Sequence, residues 1–82
     1  MSEINPQQCT DARTLLEMSE EALAQAANVG LGTIRSFESG LSTPTANSLR
    51  SIRIALQDAG VEFTPENGDG AGVRLAKRKR AK

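Results

Sequence analysis

The chain has no histidine, tryptophan or tyrosine, and its only cysteine is Cys9. Without histidine, neither a Ser-His nor a Cys-His nucleophile pair can be built, and no general base is poised near neutral pH. A metal site would need oxygen ligands alone, and the acids do not follow the spacing of a calcium loop. We therefore expect a protein that is not an enzyme and that holds neither a cofactor nor a metal ion.

Long apolar runs are also missing. No stretch of the sequence is long enough for a signal peptide or a membrane span, and one unpaired cysteine indicates a reducing compartment. Cys9 lies in a polar amino-terminal stretch, where the alternatives are an inert, locally packed thiol and a reactive one. These features predict a soluble, cytoplasmic protein without a membrane partner.

Aromatic residues are scarce, with two Phe among apolar residues that are mostly Ala, Leu, Ile and Val. This composition favours closely packed helices over a β-sandwich. A chain of 82 residues makes one small domain, and it buries only roughly 60–65% of its unfolded surface. We expect modest stability without a partner.

Charge is balanced overall but not along the chain. Residues 1–76 hold five Arg against all ten acids, giving 5 − 10 = −5, and the tail 77–82 contributes +5. Because basic residues supply most non-specific affinity for DNA, the folded part is poorly charged for that role. The basic tail is either a DNA contact or a solvated end.

Capping residues and apolar spacing predict the elements. Residues 1–9 are polar and contain Pro6, so we expect a disordered start. Thr10-Asp11 opens a first helix to about Met18, and Ser19 caps a second one. The next two helices are a third over 31–38, ended by Gly40, and a fourth from Thr43-Pro44 to about Ala59. The expected buried positions are Ala12, Leu15, Leu16, Leu23, Ala26, Ala27, Ile34, Phe37, Leu49, Ile52 and Leu56.

After Gly60 the apolar period changes from helical to alternating. Two short strands around a Gly-rich loop predict a β-hairpin within residues 61–76. A lone hairpin is marginal in water, so it should pack on the helices or pair with a second subunit.

With its apolar, capping and turn residues in this order and spacing, the chain over residues 10–60 resembles the phage-repressor type of helix-turn-helix protein. This is the family of lambda repressor and Cro, also called the xenobiotic-response-element family. The resemblance implies a mainly α, lambda-repressor-like domain of four to five helices, here with a C-terminal β-hairpin and a disordered basic tail. The matching residues are Ala12-Arg13, Leu16, Ser19-Glu20-Glu21-Ala22-Leu23-Ala24, Ala27-Asn28-Val29, Thr33-Ile34-Arg35, Phe37-Glu38-Ser39-Gly40, Thr43-Pro44, Leu49, Ile52 and Ala55-Leu56.

The resemblance also implies a DNA-binding site, because the family's third helix enters the major groove. Arg35 suits guanine O6 and N7, and Leu31 suits a thymine methyl. Gly32 either lets the backbone of the third helix approach DNA, or it lies in the first turn of that helix, where a glycine destabilises the helix only slightly. Glu20 stands where many members carry a phosphate-binding Gln. The implied contacts are Leu31, Gly32, Thr33, Arg35 and Ser36 on the third helix, with Thr43 and Asn47 as phosphate contacts.

Arg13 and Glu38 match a family ion pair that ties the first helix to the end of the third, although both could instead be solvated. The function expected from the resemblance is a homodimeric, sequence-specific regulator on an inverted-repeat operator in double-stranded DNA, associated with the nucleoid when bound. The alternative is an antitoxin-like or antiactivator-like module that binds a protein partner, either with or without DNA binding.

Overall fold

The computed structural model describes residues 4–64 and 72–76. Over these residues the protein is mainly helical, with four helices followed by a two-stranded antiparallel hairpin. The expectation of a mainly α fold followed by a C-terminal β-hairpin is confirmed. The elements are α1 (Pro6–Leu16), α2 (Glu20–Ala27), α3 (Leu31–Ser39), α4 (Ala46–Ala59), β1 (Val61–Thr64) and β2 (Gly72–Leu75). The basic tail 77–82 and most of the Gly-rich loop lie outside the described residues.

Helix α1 begins earlier than the sequence patterns predicted, so the expectation of a disordered start over residues 1–9 is wrong from Ile4 onward. Ile4 is buried, and Asn5 caps the helix in a reciprocal box: its side chain accepts from the Gln8 N–H while its own N–H donates to Gln8 Oε1. Pro6 takes the first helical position, where its missing N–H costs nothing. The residue that suggested disorder therefore starts the helix.

Gln8 also joins the two ends of the described chain. It is buried, and its Nε2 donates to the Gly72 carbonyl of β2 at 3.0 Å. The amide is thus hydrogen-bonded at both ends, which offsets the cost of burying it. Together with apolar contacts from Phe63 and Val73, this bond places the hairpin on the helices. Packing on the helices was one of the two arrangements expected for it.

The fourth helix starts two residues later than expected. Thr45, rather than Thr43, is the N-cap, and its hydroxyl accepts from the Ser48 N–H at 3.1 Å. Pro44 precedes the cap instead of occupying the first helical position. Thr43 therefore lies in an exposed loop between α3 and α4.

The core is a single cluster shared by all four helices and β1. The expected stripe of α2 is wrong in one member: Ala24 is buried and Ala26 is exposed, because the helix turns Leu23, Ala24 and Ala27 inward. Leu15 of α1 is also exposed, at 40%. The buried apolar residues are Ile4, Cys9, Ala12, Leu23, Ala24, Ala27, Ile34, Phe37, Leu49, Ile52, Ala55, Leu56 and Val61.

The register of the hairpin pairs Val61 with Leu75 and Glu62 with Arg74. On the outward face of the hairpin, Arg74 Nη2 and Glu62 Oε1 form an ion pair at 2.9 Å. No helix in the described part of the chain is long and apolar enough to cross a membrane.

Candidate nucleic-acid interface

Helices α2 and α3 are joined by a three-residue turn whose backbone is locally determined. Ser19 caps α2 by accepting from the Ala22 N–H, and Asn28 ends it in the left-handed conformation with φ of 59°. Asn tolerates that conformation better than most residues. The Val29 N–H then donates to the Ala24 carbonyl, and Gly30 precedes α3 in an extended conformation. The turn fixes the angle at which α3 leaves α2.

Helix α3 has one buried face and one open face. Ile34 and Phe37 are in the core, as predicted, which turns the opposite face outward. Gly32 and Arg35 are exposed, whereas Thr33 and Ser36 are partly buried. Leu31 is partly buried and packs against the core, so only part of its side chain is presented outward. A Cβ on Gly32 would meet nothing within 4 Å, so the chain's own packing does not require this glycine.

An open groove runs between the first half of α3 and the loop that leads into α4. Most of its lining side chains carry hydroxyl groups, and none of the described residues that line it is charged. It brings together four of the predicted contacts: Gly32, Thr33, Ser36 and Thr43. Asn47 is exposed in the first turn of α4 but does not line the groove. The lining residues are Gly32, Thr33, Ser36, Ser42, Thr43, Pro44, Thr45 and Ser48.

The chemistry of this groove suits an anionic, oxygen-rich ligand. Ser and Thr hydroxyls donate to phosphate oxygens in protein–DNA complexes. No side chain of the described residues caps the start of α3, so the first two backbone N–H groups of the helix are left for another acceptor. The hydroxyl of Thr45 is already used as the cap of α4. The hydroxyl groups of Thr33, Ser36 and Thr43 can donate hydrogen bonds to a ligand in the groove.

Arg35 does not extend freely from α3. Its Nε donates to Glu20 Oε1 at 3.3 Å, and its Nη2 lies 3.9 Å from Glu21 Oε2. Both acids belong to the first turn of α2, where the positive end of the helix favours a carboxylate. The arginine remains 58% exposed in spite of these contacts. Its positive charge is therefore partly balanced within the protein.

The predicted pair of Arg13 and Glu38 comes together in the structure. Arg13 donates from Nε and Nη2 to the two carboxylate oxygens of Glu38, each at 2.7 Å, and from Nη1 to the Met18 carbonyl. The Glu38 side chain is only 7% exposed and that of Arg13 17%. This bidentate geometry fixes α1 against the end of α3 and thereby holds α3 from behind.

Cys9 completes the cluster, with its Sγ 3.2 Å from Glu38 Oε2. Burial, followed by the hydrogen bond to Glu38, raises the pKa of the Cys9 thiol far above its ordinary value. Burial by itself would also raise the pKa of Glu38, but hydrogen bonds from Arg13 and Cys9 outweigh it and hold that pKa below its ordinary value. The thiol is therefore protonated and packed, whereas the carboxyl is ionised.

Sequence patterns do not identify all the residues that line this groove. The patterns do not single out Ser42, Thr45 and Ser48, although a run of hydroxyl residues between two helices is a signal for them. The contact between Arg35 and Glu20 had no such signal, because it spans 15 residues and two helices. Comparison with known proteins found no family model that matches the chain and no curated sequence that matches it.

Proposed function

We propose that the protein is a homodimeric, sequence-specific DNA-binding regulator of the lambda-repressor helix-turn-helix type. The observation that carries the proposal is the open face of α3, held from behind by Ile34 and Phe37 and bordered by the hydroxyl-lined groove. A helix presented this way can enter the major groove of duplex DNA, which is wide enough to admit it. The groove beside α3 then faces the sugar-phosphate backbone.

The proposed contacts divide into base reading and backbone positioning. Arg35 bonds guanine, and Leu31 offers the outer part of its side chain to a thymine methyl. Gly32 lets the backbone of α3 come close to the base edges. Thr33 and Ser36 serve either a base edge or a phosphate. Thr43 and Asn47 contact phosphates from the loop and from the first turn of α4.

Dimer formation is part of the proposal, because a pair of recognition helices reads two half-sites about 34–36 Å apart or a multiple of that distance. Among the described residues, each hairpin strand is paired along one edge only. Leu75 of β2 is 53% exposed. The exposed side chain of Leu75, on a strand at the edge of the sheet, offers an apolar surface on which a second copy can pack.

A fluorescence-anisotropy titration tests the proposal. We expect the 82-residue protein to bind a duplex obtained by selection more tightly than a scrambled duplex of the same length. Specific complexes commonly exceed non-specific ones by roughly a thousandfold or more. Arg35→Ala should lose its preference at one base pair of each half-site and keep the others. Equal affinity for the selected and scrambled duplexes would refute sequence-specific binding.

A second function is favoured by the local charge. The described residues hold seven acids against five arginines, and the only arginine on the open face of α3 is paired with acids of α2. We therefore propose, as the alternative, a protein-binding module like an antitoxin or antiactivator. Co-purification with the product of a neighbouring gene at fixed stoichiometry, without selective DNA binding, would favour this alternative.

A further inference from the structure

We infer that Glu20 is a positioning residue: it holds Arg35 so that the tip of the guanidinium, rather than its side, is presented to a base. This inference rests on the proposed DNA-binding function. Glu20 Oε1 accepts from Nε, on the side of the guanidinium group, at 3.3 Å.

The remaining donors of Arg35 are left for a ligand. Nη2 is 3.9 Å from Glu21, beyond hydrogen-bonding distance, and within the described chain neither Nη makes a hydrogen bond. Bidentate recognition of guanine O6 and N7 needs two donors in the plane of one guanidinium group. Nη1 and Nη2 can supply both donors while Nε keeps its contact with Glu20.

Glu20 is the better fixed of the two acids. Its side chain is 29% exposed, against 63% for Glu21, and it sits directly after the Ser19 cap in the first turn of α2. A carboxylate fixed there limits the rotamers open to Arg35, which reduces the entropy lost when the arginine binds.

The same contact changes how Arg35 responds to phosphates. A carboxylate beside the guanidinium offsets part of its charge, so attraction to the DNA backbone, which does not depend on sequence, is weakened. Base reading by the oriented tip is retained. Glu20 therefore favours discrimination between sequences at the expense of overall affinity. Glu20 thus orients Arg35, whereas a phosphate-binding side chain at the same position would contact the DNA backbone directly.

Glu20→Ala and Glu21→Ala form a matched pair for the test. Each removes one carboxylate from the first turn of α2, so both should strengthen binding to scrambled DNA to a similar extent. Only Glu20→Ala removes the acceptor of Arg35 Nε. Anisotropy is measured on a selected duplex and on the same duplex changed at the base pair whose preference Arg35→Ala abolishes.

We expect Glu20→Ala to reduce discrimination at that base pair by about fivefold, and Glu21→Ala to leave it within about twofold. Glu20→Gln should retain most of the discrimination, because the amide oxygen still accepts from Nε. In the Arg35→Ala background, Glu20→Ala should have no further effect on discrimination.

Two results would overturn the inference: equal changes in Glu20→Ala and Glu21→Ala, or a loss in Glu20→Ala that persists without Arg35. Failure of the unaltered protein to distinguish the two duplexes would instead contradict the proposed function. The two failures are therefore separable.

Discussion

Replacing Ser36 by glutamate should abolish specific DNA binding while leaving the fold intact. Ser36 lies on the open side of α3 and lines the groove proposed to face the phosphates. A carboxylate placed there meets like charge, which costs several kcal/mol at an interface, so affinity should fall by about a hundredfold or more. Anisotropy on the selected duplex measures the loss.

The control is Gln57→Glu, which adds the same charge at an exposed position in the last turn of α4, outside the groove. It should weaken binding only through long-range repulsion, by about threefold or less at physiological salt. Both variants should retain the helical circular dichroism spectrum, and Gln57→Glu should lower the Tm by a few degrees at most, because its carboxylate lies at the negative end of α4. Equal losses of affinity in the two variants would show that α3 does not face the DNA.

The second large effect concerns stability. Glu38→Gln should lower the free energy of unfolding by about 2–4 kcal/mol, because the Arg13 guanidinium is then left largely buried without its charged partner. Urea denaturation followed by circular dichroism measures the change. Glu62→Gln, which breaks the exposed pair with Arg74 on the hairpin, should cost less than about 1 kcal/mol. A similar cost in both variants would mean that the Glu38 pair contributes no more than a surface pair.

The Arg13–Glu38 pair also determines how the stability of the protein depends on pH. The folded pKa of Glu38 is held below its ordinary value. Its stabilising contribution is therefore fully present above the unfolded pKa, about 4.3, and is lost as the pH falls through the lower folded value. Stability of the unaltered protein should decline from about pH 5 downward. In Glu38→Gln this part of the decline should be absent, and an identical acid profile would contradict the assignment.

The sequence predicted the α2–turn–α3 unit well because its signals are local. Ser19, Asn28 and Gly40 act through their own backbone and the adjacent turn, so a pattern over a few residues is enough to place them. The start of α1 was missed although its signals are equally local. Pro6 in a polar stretch favours a disordered segment, whereas in the structure Asn5 and Gln8 form a capping box around it.

Other features depend on how the helices pack, and no local pattern contains that information. Ala26 and Ala24 are equally suited to a helix interior, and only the crossing of α2 with its neighbours decides which one is buried. The contact of Arg35 with Glu20 likewise requires the angle between α2 and α3. The Arg13–Glu38 pair joins distant positions too, and it was anticipated only through the family resemblance.

Selection of bound duplexes from a random DNA library by the unaltered protein tests the central claim most directly. If α3 of two copies reads DNA, the enriched sequences should contain an inverted repeat whose half-sites are separated by about 10–10.5 base pairs or a multiple. Selection with Ser36→Glu should then yield no enrichment. A library that stays random with the unaltered protein, at salt concentrations where non-specific binding is weak, would contradict the account.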